Sequence, residues 1–76
     1  MSYHNVLLQH DMINTLELHS EKGLNHEELT REVIAAGIKN NRIYQKDEVE
    51  EVLNYLIQLR FVIVEDDNYK WFEVVV

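Results

Sequence analysis

The chain has 76 residues, with 14 acidic and seven basic side chains and a formal net charge of −7. A chain of this length makes one domain with a small core, which leaves little room for a deep catalytic cleft. The absence of cysteine excludes disulfides and thiolate metal sites and favours an intracellular location. The apolar runs are too short to span a bilayer, and Tyr3, His4 and Asn5 do not resemble the basic start of a signal peptide. We therefore expect a single cytoplasmic domain over residues 1–76, without a membrane partner.

The acidic balance argues against a protein that binds DNA mainly through its charge. Non-specific affinity for DNA comes from Lys and Arg side chains that neutralise phosphates. The seven cations are spread along the chain, and the densest local group consists of Lys39, Arg42 and Lys46, with Arg31 nearby. Acidity also helps solubility, so a structural explanation of the charge stands beside a functional one.

The first helix follows from the spacing of apolar residues. Over residues 4–20 these side chains recur at helical intervals, and Leu8, Met12 and Leu16 form one i, i+4 row. Gly23 follows this run and predicts the end of the helix, because glycine is the residue that most often terminates helices.

The second helix is indicated by its end signals. Residues 25–28, Asn-His-Glu-Glu, have the form of a capping box, and Gly37 predicts the end of the helix. The connection over residues 38–46 is longer than the turn of the tightest helix-turn-helix units, and Ile43 and Tyr44 are apolar enough to pack within it.

The third helix carries the clearest amphipathic pattern. Asp47 and Glu50 predict a second capping box at its start, and one face is apolar. That face consists of Val49, Val52, Leu53, Leu56 and Ile57. The acidic residues of the first turn also suit the helix dipole, which is a purely structural reason for their presence.

Two short apolar runs, residues 61–64 and 70–76, predict a β-hairpin that follows the third helix with almost no linker. If Glu65 pairs with Lys70 across the tip, Val64 lies opposite Trp71, and the opposite charges at the tip support this register. Both hairpin faces are then mainly apolar, although only one can pack on the helices. The surplus face indicates a contact surface, unless the first helix or the chain start covers it.

The junction between the third helix and the hairpin resembles that of winged helix-turn-helix proteins. In that family the junction usually reads leucine, two or three residues, leucine, then glycine and two apolar residues. The matching apolar positions here are Leu53, Leu56, Leu59, Phe61 and Val62. Residues 25–30, Asn-His-Glu-Glu-Leu-Thr, look like the start of the family's second helix. The resemblance implies an α+β, mainly α fold in which three helices are followed by a C-terminal β-hairpin wing.

Two positions depart from the family pattern. Arg60 stands where many members have glycine, so a positive φ at the junction is costly. The third helix, which reads bases in the DNA-binding members, begins here with Asp47, Glu48, Glu50 and Glu51. This negative charge weakens the inference of DNA binding, and winged helices in general also serve as protein-interaction modules.

No side-chain pattern in the sequence indicates catalysis, a metal or a cofactor. His4 and His10 are six residues apart and His19 and His26 are seven apart, and neither spacing is the i, i+4 spacing of a helical zinc site. Adjacent carboxylates point apart on a helix or lie in water at a hairpin tip. The only glycines, Gly23 and Gly37, do not form a phosphate-binding loop. We expect a protein that is not an enzyme and holds neither metal nor cofactor.

We expect the protein to act through contacts with a partner protein, as a small regulator or adaptor of transcription or of a nucleic-acid-binding partner. A regulator encoded by a virus or a mobile element would suit these features. The predicted partner-binding residues are Glu48, Glu50 and Glu51 on the third helix and Tyr69, Trp71 and Phe72 on the hairpin. Core packing of Phe72 and coverage of the turn by Tyr69 are the competing explanations. A homodimer is a variant, because a terminal strand at residues 74–76 can pair edge to edge.

The alternative is a dimeric, sequence-specific DNA-binding regulator of transcription. Its contacts would come from the outer side of the third helix, the basic residues before it and the wing. These residues are Asn54, Tyr55, Gln58, Arg60, Lys39, Arg42, Lys46 and Lys70. Asn and Gln can read adenine and Arg can read guanine, although each residue also fits an ordinary polar surface.

Overall fold

The computed structural model describes residues 2–72, which form three α-helices followed by a two-stranded antiparallel β-hairpin. The elements are α1 (Tyr3–Leu18), α2 (His26–Lys39), α3 (Lys46–Gln58), β1 (Val62–Glu65) and β2 (Asn68–Trp71). This mainly helical α+β layout is winged-helix-like, as the sequence predicts. The predicted strand at residues 74–76, and with it the proposed edge-to-edge pairing, lies outside the described residues.

α1 is held at its start by a cap and along its length by an apolar row. The hydroxyl of Ser2 accepts a hydrogen bond from the amide of Asn5 at 3.2 Å, which satisfies one of the free amides of the first turn. The predicted i, i+4 row is completely buried and consists of Leu8, Met12 and Leu16. The helix therefore presents the predicted face to the core.

α2 begins at the predicted capping box but ends later than expected. The Asn25 side chain accepts a hydrogen bond from the Glu28 amide at 2.8 Å, and the Glu28 carboxylate accepts one from the Asn25 amide at 3.1 Å. The helix continues through Gly37 to Lys39, so the prediction that Gly37 ends it is wrong. A Cβ at Gly37 would lie 2.6 Å from the ring of Tyr44, so glycine is needed there for space.

α3 begins at Lys46, with Gln45 at the N-cap, two residues before the predicted cap Asp47. The Glu48 carboxylate accepts a hydrogen bond from the amide of Gln45 at 2.9 Å. The Asp47 carboxylate accepts one from the Glu48 amide at 3.1 Å, so the predicted pair of Asp47 and Glu50 is corrected. Two of the four acidic residues thus stabilise the start of the helix, where the helix dipole also favours them.

α2 and α3 both end in a Schellman motif. In α3 the amide of Phe61 donates to the carbonyl of Leu56 at 3.0 Å, and the amide of Arg60 donates to the carbonyl of Ile57 at 2.9 Å. Arg60 has a φ of 65°, and Asn41 occupies the equivalent position after α2 with a φ of 61°. Arg60 therefore adopts the positive φ that we expected to be costly for any residue other than glycine.

The hairpin turns in two residues, Asp66 and Asp67, whose φ values of 52° and 64° fit the left-handed region that such turns require. The pairs are Val62 with Trp71, Ile63 with Lys70, Val64 with Tyr69 and Glu65 with Asn68. The predicted pairing of Glu65 with Lys70 is thus wrong by two residues, although these side chains still form an ion pair at 3.3 Å. A shift of two preserves the face on which each side chain lies, because strand side chains alternate with a period of two.

The hairpin is fastened to the segment between α1 and α2. Leu24 and Tyr69 form an antiparallel bridge, with amide-to-carbonyl distances of 3.0 Å and 2.7 Å. Gly23 has a φ of 74°, and a Cβ there would lie 2.7 Å from the Tyr69 carbonyl oxygen. Gly23 therefore permits the close approach of β2, whereas α1 ends earlier, at Leu18.

The core lies between the three helices and the base of the hairpin. Each helix contributes residues at the predicted apolar positions, and the connections add one residue each. The buried hydrophobic residues are Leu8, Met12, Leu16, Leu24, Leu29, Val33, Tyr44, Val49, Val52, Leu53, Leu56 and Val62. Because the apolar face of α3 packs on this core, with only Ile57 partly exposed, the opposite face is what the helix offers to a partner.

Candidate interaction surfaces

The exposed face of α3 is acidic in its first half and neutral in its second half. Glu50 and Glu51 are exposed in the first half, and Asn54, Tyr55 and Gln58 are exposed in the second. No lysine or arginine occurs within residues 47–58. This helix therefore presents negative charge and amide groups, without a positive stripe along it.

The three glutamates predicted to bind a partner differ in their surroundings. The Glu48 carboxylate caps α3 and lies 2.8 Å from His4 Nε2, although that ring nitrogen makes no hydrogen bond of good geometry. The Glu50 carboxylate lies 3.5 Å from Nε2 of His26, with both side chains about half exposed. The side chain of Glu51 makes no ion pair within residues 2–72. Glu50 and Glu51 are consequently the two that remain available at the surface.

A polar groove of about 350 Å³ lies between α1 and α3. It brings together three residues proposed for DNA contacts and one proposed for partner binding. The lining side chains include Asn5 and Gln9 from α1 and Glu51, Asn54, Tyr55 and Gln58 from α3. The groove offers amide donors and acceptors beside a carboxylate, which is a surface for hydrogen bonding rather than for phosphate neutralisation.

The basic residues proposed for DNA contacts do not line the polar groove. Lys70 lies on the hairpin and pairs with Glu65. Arg42 lies after α2, with Nη1 3.9 Å from the buried carboxylate of Asp11. Lys46 stands at the start of α3 and has no ion-pair partner in the described part of the chain. Lys70 is thus on the hairpin, Arg42 and Lys46 lie near α2, and none of the three lines the polar groove.

Two of the three hairpin aromatics proposed as anchors lie partly inside the fold. Tyr69 and Trp71 pack against the hydrophobic core, and Trp71 stacks on Phe61 with ring centroids 5.7 Å apart. The more exposed apolar side chains of the hairpin are Val64, Phe61 and Phe72. An apolar contact at the hairpin would therefore be made chiefly by these three residues.

A buried polar cluster was missed by the sequence analysis. Asp11, only 7% exposed, accepts a hydrogen bond from the hydroxyl of Tyr44 at 2.5 Å. Burial, reinforced by the Asp11 carboxylate, raises the pKa of Tyr44 to about 12. A signal was present, because Asp11 and Thr15 occupy the same helical stripe as Leu8 and Met12. A carboxylate on a buried stripe predicts a buried partner.

Within residues 2–72, no group of three or more histidine or acidic side chains is placed to hold a metal ion. In the same residues, no helix combines the length and the hydropathy needed to cross a membrane. Comparisons of the chain with protein-family models, with curated proteins and with solved structures return no match. The function must therefore be inferred from the surfaces themselves.

Proposed function

We propose that the protein is a small, non-enzymatic interaction module of the winged helix-turn-helix superfamily. In this proposal it acts in the cytoplasm as a regulator or adaptor, and the exposed face of α3 binds a basic partner protein. The observation that carries the proposal is the position of Glu50 and Glu51, which are exposed on a helix whose residues 47–58 include no cation.

Charge favours a protein partner over DNA. Each phosphate contact would have to overcome repulsion from Glu50 and Glu51 at short range, and only Lys46 lies on the same helix to offset it. A basic protein surface meets the same carboxylates with attraction, which favours encounter and fixes orientation. Tyr55 adds a partly exposed aromatic ring beside these charges, and tyrosine is enriched at binding hot spots.

One observation favours the alternative of sequence-specific DNA binding. Asn54 and Gln58 lie in the same polar groove, and both side chains have the donor and acceptor pair that reads adenine. The phosphate contacts that would have to accompany such readout depend on Arg42, Lys46 and Lys70, none of which lines that groove.

Fluorescence polarisation with mixed-sequence duplex DNA tests this choice. At about 50 mM salt we expect no binding at micromolar protein concentration, since charge repulsion is least screened there. Micromolar binding that weakens steeply as salt is added would overturn the proposal and support the DNA-binding alternative.

The acidic surface is tested by reversing Glu50 and Glu51 together to lysine and capturing partners from a nuclease-treated lysate of cells that express the protein. Glu48 stays unchanged because it caps α3. A matched control reverses Glu17 and Glu21, which are exposed near the C-terminal end of α1 and give the same change in net charge. We expect E50K/E51K to lose the captured protein and E17K/E21K to retain it. Equal capture by both variants would remove α3 from the interface.

A further inference from the structure

A surface on the outer side of α2 is apolar and rimmed by positive charge. Ile34, Ala35 and Ile38 line a groove of about 540 Å³ between α2 and the start of α3, and Arg31 and Lys46 stand at its sides. Ile38 also lines a neighbouring depression of about 510 Å³ formed with Arg42 and Ile43. We call these two depressions together the α2 groove.

The isoleucines of the α2 groove are unusually open to solvent. Ile38 is 61% exposed and Ile43 is 72% exposed, whereas Ile34 is partly buried against the core. Single exposed aliphatic residues are common on protein surfaces, but neighbouring ones that line a concave surface mark a place where apolar groups bind. The shape and the apolar lining therefore indicate a partner with aliphatic or aromatic side chains.

The side chains that line the α2 groove are mainly positive, whereas the chain as a whole is negative. Arg31 and Lys46 have no ion-pair partner among residues 2–72, and Arg42 makes only a 3.9 Å contact with Asp11. Glu27 is the one acidic side chain among the described lining residues. Three cations and one carboxylate thus line the groove, and a second carboxylate, that of Glu50, lies 3.5 Å from the lining residue His26. In the whole chain, acidic residues outnumber basic ones two to one.

We propose that the α2 groove binds an acidic, amphipathic segment of a partner protein. Its aliphatic or aromatic side chains would cover Ile34, Ile38 and Ile43, and its carboxylates would pair with the cations at the sides. Arginine is suited to this because its planar guanidinium binds carboxylates in two places at once. Complementary charge would fix the direction in which the segment lies.

The apolar lining distinguishes this partner from nucleic acid and from α3 of a second copy of the chain. Isoleucine side chains provide neither the stacking surface nor the hydrogen bonds that bases require. The acidic face of α3 could supply carboxylates from a second copy, but four of the five aliphatic residues of α3 are buried in its own core and the fifth, Ile57, is partly buried against it. A separate segment with both kinds of side chain fits the groove better than either.

This inference does not rest on the role proposed for α3. The α2 groove selects acidic partners and the exposed face of α3 selects basic ones, so the two surfaces together would allow the protein to bridge two partners. The groove is tested with variants that leave Glu50 and Glu51 unchanged, and failure of one proposal is therefore distinguishable from failure of the other.

The experiment selects binders from a displayed library of random peptides about 12 residues long, with the full chain immobilised. Two independent variants probe the groove: Ile38→Asp removes apolar surface, and R31E/K46E reverses two cations. Their matched controls are Tyr3→Asp, at an exposed residue outside the groove, and K22E/R60E, at two exposed cations outside it. Circular dichroism melts establish that all four variants are folded.

We expect the enriched peptides to combine Asp or Glu with aliphatic or aromatic residues. Ile38→Asp and R31E/K46E should each weaken their binding by about tenfold or more, and the two controls should leave it unchanged. Failure to enrich such peptides, or binding that survives both groove variants, would overturn the inference. Sedimentation that reveals a dimer abolished by Ile38→Asp, or displacement of the peptides by duplex DNA, would overturn it in favour of a second copy or nucleic acid.

Discussion

The hydroxyl of Tyr44 donates a hydrogen bond to the carboxylate of Asp11 at 2.5 Å, between residues 33 positions apart in the chain. The bond joins the connection after α2 to the middle of α1. A buried carboxylate is costly unless it is hydrogen-bonded, and this one has the Tyr44 hydroxyl and, at 3.9 Å, a nitrogen of Arg42. The pair therefore holds in place the connection that carries Arg42 and Ile43 to the α2 groove.

Replacing Tyr44 by phenylalanine removes the hydroxyl but keeps the ring. We expect the free energy of unfolding to fall by about 1.5–3 kcal/mol, because the Asp11 carboxylate then lacks its hydrogen-bond donor. Urea unfolding at neutral pH measures the loss. Tyr55→Phe is the matched control, since that exposed tyrosine should change stability by less than about 0.5 kcal/mol. Equal effects of the two substitutions would contradict this account.

The contribution of Tyr44 should also depend on pH. Its pKa is about 12 in the folded protein, chiefly because burial disfavours the phenolate, and a tyrosine in an unfolded chain titrates near about 10. A raised folded-state pKa means that the contribution is complete below about pH 10 and is lost as the pH rises through about 12. The stability difference between wild type and Tyr44→Phe should stay constant up to about pH 9 and shrink above about pH 10. A difference that stays constant at high pH would refute the raised pKa.

Gly37→Ala should destabilise the protein, although alanine normally improves a helix interior by about 1 kcal/mol. The new methyl group would lie 2.6 Å from the Tyr44 ring and force that ring out of its place. We expect a loss of about 1–3 kcal/mol, which is typical of overpacking. The same substitution in a Tyr44→Ala background should be neutral or stabilising, because the ring is absent. A double-mutant cycle by urea unfolding measures this coupling, and additive effects would exclude it.

Arg60→Gly should stabilise the protein. Arg60 has a φ of 65°, a conformation that costs an L-residue about 1–2 kcal/mol. Glycine avoids this cost, but its larger conformational freedom in the unfolded chain offsets part of the benefit. We expect a net increase of roughly 0.5–1 kcal/mol in the free energy of unfolding. Arg60→Ala removes the same charge without relieving the backbone, so it should not raise stability. An equal gain from both substitutions would assign the effect to charge.

Apolar spacing was sufficient to predict the three helices and the hairpin, because burial on one face is a local property of the sequence. The row Leu8, Met12 and Leu16 and the cap at Asn25 are in the predicted places. The acidic face of α3 could be predicted in the same way, since the apolar face of an amphipathic helix determines which residues point outward.

The element ends were harder because they depend on contacts between distant residues. The position of Gly37 in the sequence predicted a helix end, but in the structure this glycine leaves space for the ring of Tyr44. At Arg60 the need to close the Schellman motif before β1 outweighs the local preference for negative φ. In the hairpin, the two-residue turn at Asp66 and Asp67 determines which residues of the two strands pair. Glu65 and Lys70 are therefore not directly opposite each other, although their side chains still form an ion pair.

The surfaces could be predicted only where one element supplies all their residues. Glu50 and Glu51 belong to a single helix, and their exposure followed from its pattern. The α2 groove combines Arg31 from α2, Lys46 from α3 and Arg42 from the connection, so it exists only after the helices have packed. In the sequence these cations form a local group, but their spacing does not show that isoleucines lie between them.

The bridge between Leu24 and Tyr69 connects the hairpin to the start of α2. Asn25, the next residue after Leu24, caps α2, so the bridge joins β2 to the residue before the first turn of that helix. His26 in that turn lines the α2 groove. The hairpin is thus attached beside the part of α2 that lines the α2 groove, and a displacement of the hairpin is expected to change the groove at His26.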